Sequence, residues 1–148
     1  MRTAIRIGLV LGTLLLFPTA ARADRCKIDS VGSIAFGQYN LFATTPTDAA
    51  GSIGYSCSAT PGPVISLSPG ASGTFNMRTM LLGSSTLQYN VYVDATCKTI
   101  FGDGTGATAV FNAANARWQV VTFYGRIFPG QTVPAGTYSD SLVATLNF

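Results

Sequence analysis

The 148-residue chain contains no histidine and no glutamate. That removes the usual general base near neutral pH, the commonest metal ligand, and one member of most acid–base carboxylate pairs. Its many hydroxyl side chains have no imidazole to activate them, so no enzymatic activity, cofactor or metal is expected. Charge is scarce too, at 10% of residues, and no basic run occurs. Nucleic acid is therefore a poor candidate for a partner. Helical periodicity is absent beyond the first residues, and no apolar run approaches the ~20 residues that span a bilayer. The chain is not expected to be embedded in a membrane.

What is present begins with a leader. Arg2 and Arg6 precede the apolar run IGLVLGTLLLF, and ARA at 21–23 places small residues where a signal peptidase cuts. Residues 1–23 read as a secretory signal peptide and 24–148 as one exported domain. Removing Arg2, Arg6 and Arg22 brings the formal +3 of the precursor to neutrality. The remaining cations, Arg25, Lys27, Arg78, Lys98, Arg117 and Arg126, are matched by Asp24, Asp29, Asp48, Asp94, Asp103 and Asp140.

Three cysteines, Cys26, Cys57 and Cys97, in a chain bound for an oxidising compartment imply one disulfide and one thiol left over. Three pairings are open. Cys26 with Cys57 is favoured because both fall on strands near the start of the domain. Cys97 then reads as a half-buried small hydrophobe or as an intermolecular partner.

Short alternating runs separated by Gly, Pro, Ser and Asn recur along the chain, the pattern of an all-β sandwich. CKIDS and SIAFGQY read as a first strand broken at Gly32. Ile53, Tyr55 and Cys57 alternate with small polar residues, and Ile65 and Leu67 follow in VISLSPG. In LQYNVYVD, Leu87, Tyr89, Val91 and Val93 share one face, and Gln88, Asn90, Tyr92 and Asp94 form a wet one. RWQVVTFYGRI is a fifth strand and the final LVATLNF a sixth, with Leu142, Ala144, Leu146 and Phe148 on its apolar face. Residues 100–115 have no period and read as a loop or an irregular hairpin. Six main strands are one short of the seven that close a simple immunoglobulin-like sandwich. The last strand ends with no partner after it.

Other motifs have structural readings. Asp94 and Asp103 lie beside turns, where Asp bonds to nearby backbone. GDGTG at 102–106 lacks the further carboxylates of a calcium loop and reads as a turn. Arg126 is expected to find a cross-strand or carbonyl partner. Trp118 and the tyrosines read as core and strand-face residues.

Taken together, IAFGQY, GSIGYSCS, ISLSPGASGTFNMRTM, LQYNVYVDAT, IFGDGTG, FYGRIFPGQTVPAGTYSDSL and ATLNF resemble the spore coat protein U domain family, which includes the archaic chaperone-usher pilins. The resemblance runs through nearly all of 24–148 in the family's order. It departs at Cys97, at Phe101 and at YGRIFPGQ. It implies an incomplete immunoglobulin-like sandwich whose seventh strand comes from another chain: first a periplasmic chaperone, then a neighbouring pilus subunit joined at an outer-membrane usher. Leu142, Ala144, Leu146 and Phe148 are then expected to line or flank that contact. Only two residues separate a cut after Ala23 from Cys26, too few for a donor strand, so a tip or minor subunit at the cell surface is expected. The same resemblance leaves open a spore or cell-surface coat protein, or an adhesive module at a fibre tip.

Overall fold

The computed structural model describes residues 25–59 and 61–148. The expected signal peptide lies outside the described residues. Ten strands follow in order: β1 Cys26–Gly32, β2 Thr47–Cys57, β3 Val64–Leu67, β4 Arg78–Leu82, β5 Ser85–Tyr92, β6 Ile100–Phe101, β7 Thr108–Ala109, β8 Phe111–Asn112, β9 Ala116–Ile127 and β10 Ala144–Asn147. A 3-10 turn covers Gly70–Ser72. One sheet runs β1-β2-β9-β5-β6-β7, with β4 also paired to β5. The second is β10-β3-β8. The result is an immunoglobulin-like β-sandwich with open sheets.

The expected alternation places the core between the sheets. Ile53 and Tyr55 of β2, Leu87, Tyr89 and Val91 of β5, and Phe123 and Ile127 of β9 are buried against Ile65 and Leu67 of β3. Phe101 ties the layers together, edge-on to Phe111 at 4.9 Å between ring centroids and tilted against Phe123 at 6.0 Å. Such aromatic pairs add to what area burial alone contributes. Cys26 and Cys57 face each other across the β1–β2 ladder and are joined by a disulfide. Cys97 is free and half-buried, and burial first among its causes raises its thiol pKa.

Several segments differ from the sequence reading. The stretch RTMLL forms β4, a strand that alternation alone does not reveal because its first inward position is the charged Arg78. It closes a hairpin with β5 through Gly83-Ser84, where Gly83 takes φ 57°, the conformation that tight hairpins ask of glycine. Strand β2 begins at Thr47, earlier than its apolar residues suggest. There the polar start is held by the long β9 ladder, in which Asp48 pairs with Arg126. The first strand stops at Gly32, and Ser33–Tyr39 runs on without a ladder while Ile34, Phe36 and Tyr39 still pack on the core. Gly125 makes that possible, since an added Cβ would lie 2.6 Å from the Phe36 ring and 2.9 Å from Ile34. Residues 100–115 contain three two-residue strands, with β6 and β7 parallel and β8 crossing to the other sheet.

The wet face expected for β5 is not wet at Asn90 and Tyr92, which are both buried. Residues 75–78 fold over it. The Asn90 amide donates to the carbonyls of Phe75 and Asn76 at 2.9 and 3.1 Å, and its oxygen accepts from Arg78 at 2.8 Å. Trp118 stands on the outer face of β9, 63% exposed, rather than in the core. Among the described residues no helix is long and apolar enough to cross a membrane.

Candidate functional site: a groove between two strand edges

Strand β10 pairs with β3 and β1 pairs with β2; among the described residues neither has a partner on its other edge. These two free edges approach each other on the same side of the sandwich. Near one end Phe148 borders a cleft with Arg25, Cys26 and Lys27, so the end of β10 lies by the start of β1 and the two run in opposite directions.

Between them is a groove. Its upper part, about 340 Å³, has Ile28, Val31 and Ile34 on one wall and Tyr138, Asp140, Leu142 and Ala144 on the other. Ile53, Leu67, Met80, Tyr89 and Phe123 form the floor. A second cavity of about 680 Å³ shares Ile34, Phe36, Met80 and Tyr138 with it and continues under the crossing segment at Val133–Tyr138. That segment is fixed by Gln131, whose side chain bonds to both backbone groups of Gln88 and whose backbone N–H donates to the Tyr39 hydroxyl oxygen.

Hydrogen-bond phase decides what the edges offer. The carbonyl of Val143 accepts from Ser68 N at 2.9 Å, and Ser139 exchanges two bonds with Leu81 of β4 at 2.8 and 3.1 Å. Odd-numbered residues thus bond inward, and alternation leaves the peptide groups of Ala144 and Leu146 directed at the free edge. On the opposite side the Arg25 carbonyl accepts from Ser58, which leaves Cys26 and Ile28 directed outward in the same way. Two rows of unpaired donors and acceptors flank an apolar floor. A strand laid between them can bond to both and bury every second side chain.

A family model described as the spore coat protein U domain matches residues 12–145. This chain belongs to the spore coat protein U domain family. Protein U of Myxococcus xanthus is 30% identical to it over 136 residues, covering 79% of this chain and 72% of the relative. Among solved structures, the chaperone-tip adhesion subunit pre-assembly complex CsuC-CsuE, from the archaic chaperone-usher Csu pili of Acinetobacter baumannii, matches with a TM-score of 0.59 and 24% identity. The match covers 85% of this chain, which spans 40% of that chain. The likeness is one of fold.

Within this spore coat protein U domain, Leu142 and Ala144 line the groove, and Leu146 packs on the core in phase with them. Phe148, expected on the same face, lies apart: it is 64% exposed beyond the end of β10 and borders the cleft beside the disulfide. The inward phase instead extends backwards through Asp140 to Tyr138, which the sequence reading stopped short of because a carboxylate does not look like a core position.

Among the described residues, Asp140 is the one charged side chain that lines the groove. It accepts the Tyr89 hydroxyl at 2.6 Å and the backbone N–H groups of Ala71 and Ser141 at 2.9 and 2.8 Å. Burial first, then this bond, pushes the Tyr89 phenol far above its usual range. Behind them sits Arg78, fully buried, whose guanidinium donates to the carbonyls of Ser68 and Phe101 and to Asn90 Oδ1. Burial lowers its pKa, opposed by the neighbouring Tyr89 and Asp140. The sequence gives one signal for this group: Arg78, Asn90 and Asp140 are polar residues at positions where strands turn inward or are covered.

Four other charged residues serve turns and ladders. Arg126 holds Asp48 through two bonds of 2.7 Å across the β2–β9 ladder. Asp94 caps its turn by accepting from Thr96, Lys98 and Thr99, and Asp103 accepts from Thr105. Bonds from the Thr96 hydroxyl first, then the Thr99 N–H, lower the Asp94 carboxyl to about 2. Among the described residues no cluster of three or more Cys or Asp is placed to hold a metal ion.

Proposed function

We propose that this spore coat protein U domain is a structural subunit of a secreted surface fibre assembled by the chaperone-usher route, and that it performs no chemistry. The observation that carries the reading is the apolar groove between the unpaired edges of β1 and β10. An open apolar groove beside unpaired edges invites aggregation unless a strand covers it. In this reading a periplasmic chaperone supplies that strand first, and a neighbouring subunit replaces it at the outer-membrane usher. The domain then stands at the cell surface in adhesion or biofilm formation. A tip or minor position is the finer part of this reading, and its support is the fold likeness to a chain of the chaperone-tip adhesion subunit complex. Leu142, Ala144 and Leu146 are its proposed contacts with the inserted strand.

The test is capture of the exported protein by its periplasmic chaperone. Leu142→Asp or Leu146→Asp is expected to abolish capture, because a buried charge would face an apolar insert. Thr145→Asp, on the outer face, is expected to be mild, and Phe148→Asp likewise. Equal sensitivity at all four positions would refute the register. A second reading, a coat component, is favoured by the family description and the relative Protein U. Immunogold labelling of fibres as against a continuous surface layer separates the two.

A further inference from the structure

The wall of the groove alternates in one phase from Tyr138 through Asp140, Leu142 and Ala144 to Leu146, and these five side chains turn inward while their odd-numbered neighbours are exposed. Four are apolar or aromatic. The fifth is a carboxylate whose surroundings leave it incompletely used. Among the described residues its Oδ1 accepts from Ala71 and Ser141, and its Oδ2 accepts from Tyr89 alone. A carboxylate offers about four acceptor sites, so one remains on the oxygen that lies by the groove floor.

A cation lies opposite the tyrosine that binds this carboxylate: Arg78 pairs with Tyr89 across the β4–β5 ladder. Arg78 is buried behind Tyr89 with its donors on two carbonyls and an amide oxygen, and it has no ion pair of its own among the described residues. Burial lowers its pKa, and Tyr89 and then Asp140 are the groups that oppose this. A segment laid in the groove therefore needs to bring no countercharge to Asp140, but it does need to replace the water it displaces from Oδ2. A purely apolar insert would strand that acceptor, and an acidic one would set two carboxylates together.

Resting on the reading that the groove accepts a strand, we propose that Asp140 determines which strand: the inserted segment carries an uncharged hydrogen-bond donor, of the Thr, Ser or Asn kind, at the one inward position facing Asp140, and apolar side chains at the others. The carboxylate selects register as well as identity. A one-step slip of the insert by two residues would put an apolar side chain against Oδ2 and the donor against Leu142 or Tyr138. The groove thus discriminates among alternating segments that apolar burial alone would treat alike.

The test uses the intact exported protein and synthetic peptides of about twelve residues, alternating valine with serine and flanked by lysines. In each peptide one inward valine is replaced by threonine, its near-isostere, or by aspartate. At a single position threonine is expected to bind roughly tenfold tighter than valine, as a hydrogen bond to a charged acceptor gives. Aspartate there is expected to be the weakest of the three, and at every other inward position valine wins. In Asp140→Asn the aspartate penalty at that position is expected to shrink about tenfold, because the amide can donate. Peptides that bind with valine preferred at every position would overturn the inference and leave the groove reading intact. No binding by any peptide would overturn both. The wild-type series decides the matter even if the substituted protein does not fold.

Discussion

Fusing a donor segment to the end of β10 should fill the groove from within, and the geometry sets its length. The wall from Tyr138 to Leu146 is nine residues long, or about 30 Å at strand rise, so about nine donor residues suffice. Phe148 lies beside Arg25 and Lys27 at the start of β1, and a turn of roughly two to five residues returns the chain into the groove antiparallel to β10. A strand that binds as a free peptide with a Kd of about 1 μM, tethered at an effective concentration of about 1 mM, stabilises the fold by roughly 4 kcal/mol. For a domain of this size that corresponds to a rise in melting temperature of roughly 10–20 °C. The assay is thermal unfolding by circular dichroism, with a control fusion whose inward residues are aspartate. If the unfused domain already melts cooperatively as a monomer at high temperature, and the fusion moves it by no more than about 2 °C, the groove is not an acceptor.

Three further outcomes follow from the packing. Arg78→Met should lower stability by about 3 kcal/mol or more, because the Ser68 and Phe101 carbonyls and Asn90 Oδ1 lose their donor, each at roughly 1–3 kcal/mol; chemical denaturation measures it, and a neutral result would refute the assigned network. Mutating Cys26 and Cys57 together should cost about 3 to 4 kcal/mol for the loop they close, while Cys97 alone reacts with a thiol reagent in denatured, unreduced wild-type protein; peptide mapping that finds Cys97 bridged contradicts this. Asp94→Ala should melt earlier than wild type at neutral pH. The Asp94 carboxyl is lowered from 3.8 to about 2 in the fold, so its contribution is present above pH ~4 and is lost as pH falls towards 2. The difference between the two proteins is expected to close over that window, and a gap that stays constant with pH would assign the turn to other bonds.

Legible in the residues alone were the all-β class, the absence of the side chains that most catalysis uses, and the core faces of β2, β3 and β5. Those are local consequences of a two-residue period, and they survive folding because each apolar face needs cover that only another sheet provides. The sequence favoured the Cys26–Cys57 bridge because both cysteines fall on strands near the start of the domain, and the β1–β2 ladder sets them opposite each other. It did not show β4, whose inward residue is Arg78, nor the inward place of Asp140, nor the separation of Phe148 from Leu146. A charged residue turns inward only where other parts of the chain supply its hydrogen bonds, and those partners, Ser68, Asn90 and Phe101 for Arg78 and Tyr89 and Ala71 for Asp140, lie on other segments, 10 to 69 residues away. The groove is likewise a tertiary fact. The apolar alternation of the last strand can be read from its residues, but that the free edge of β10 faces the free edge of β1 across an apolar floor depends on how the two sheets stack, which no local period encodes.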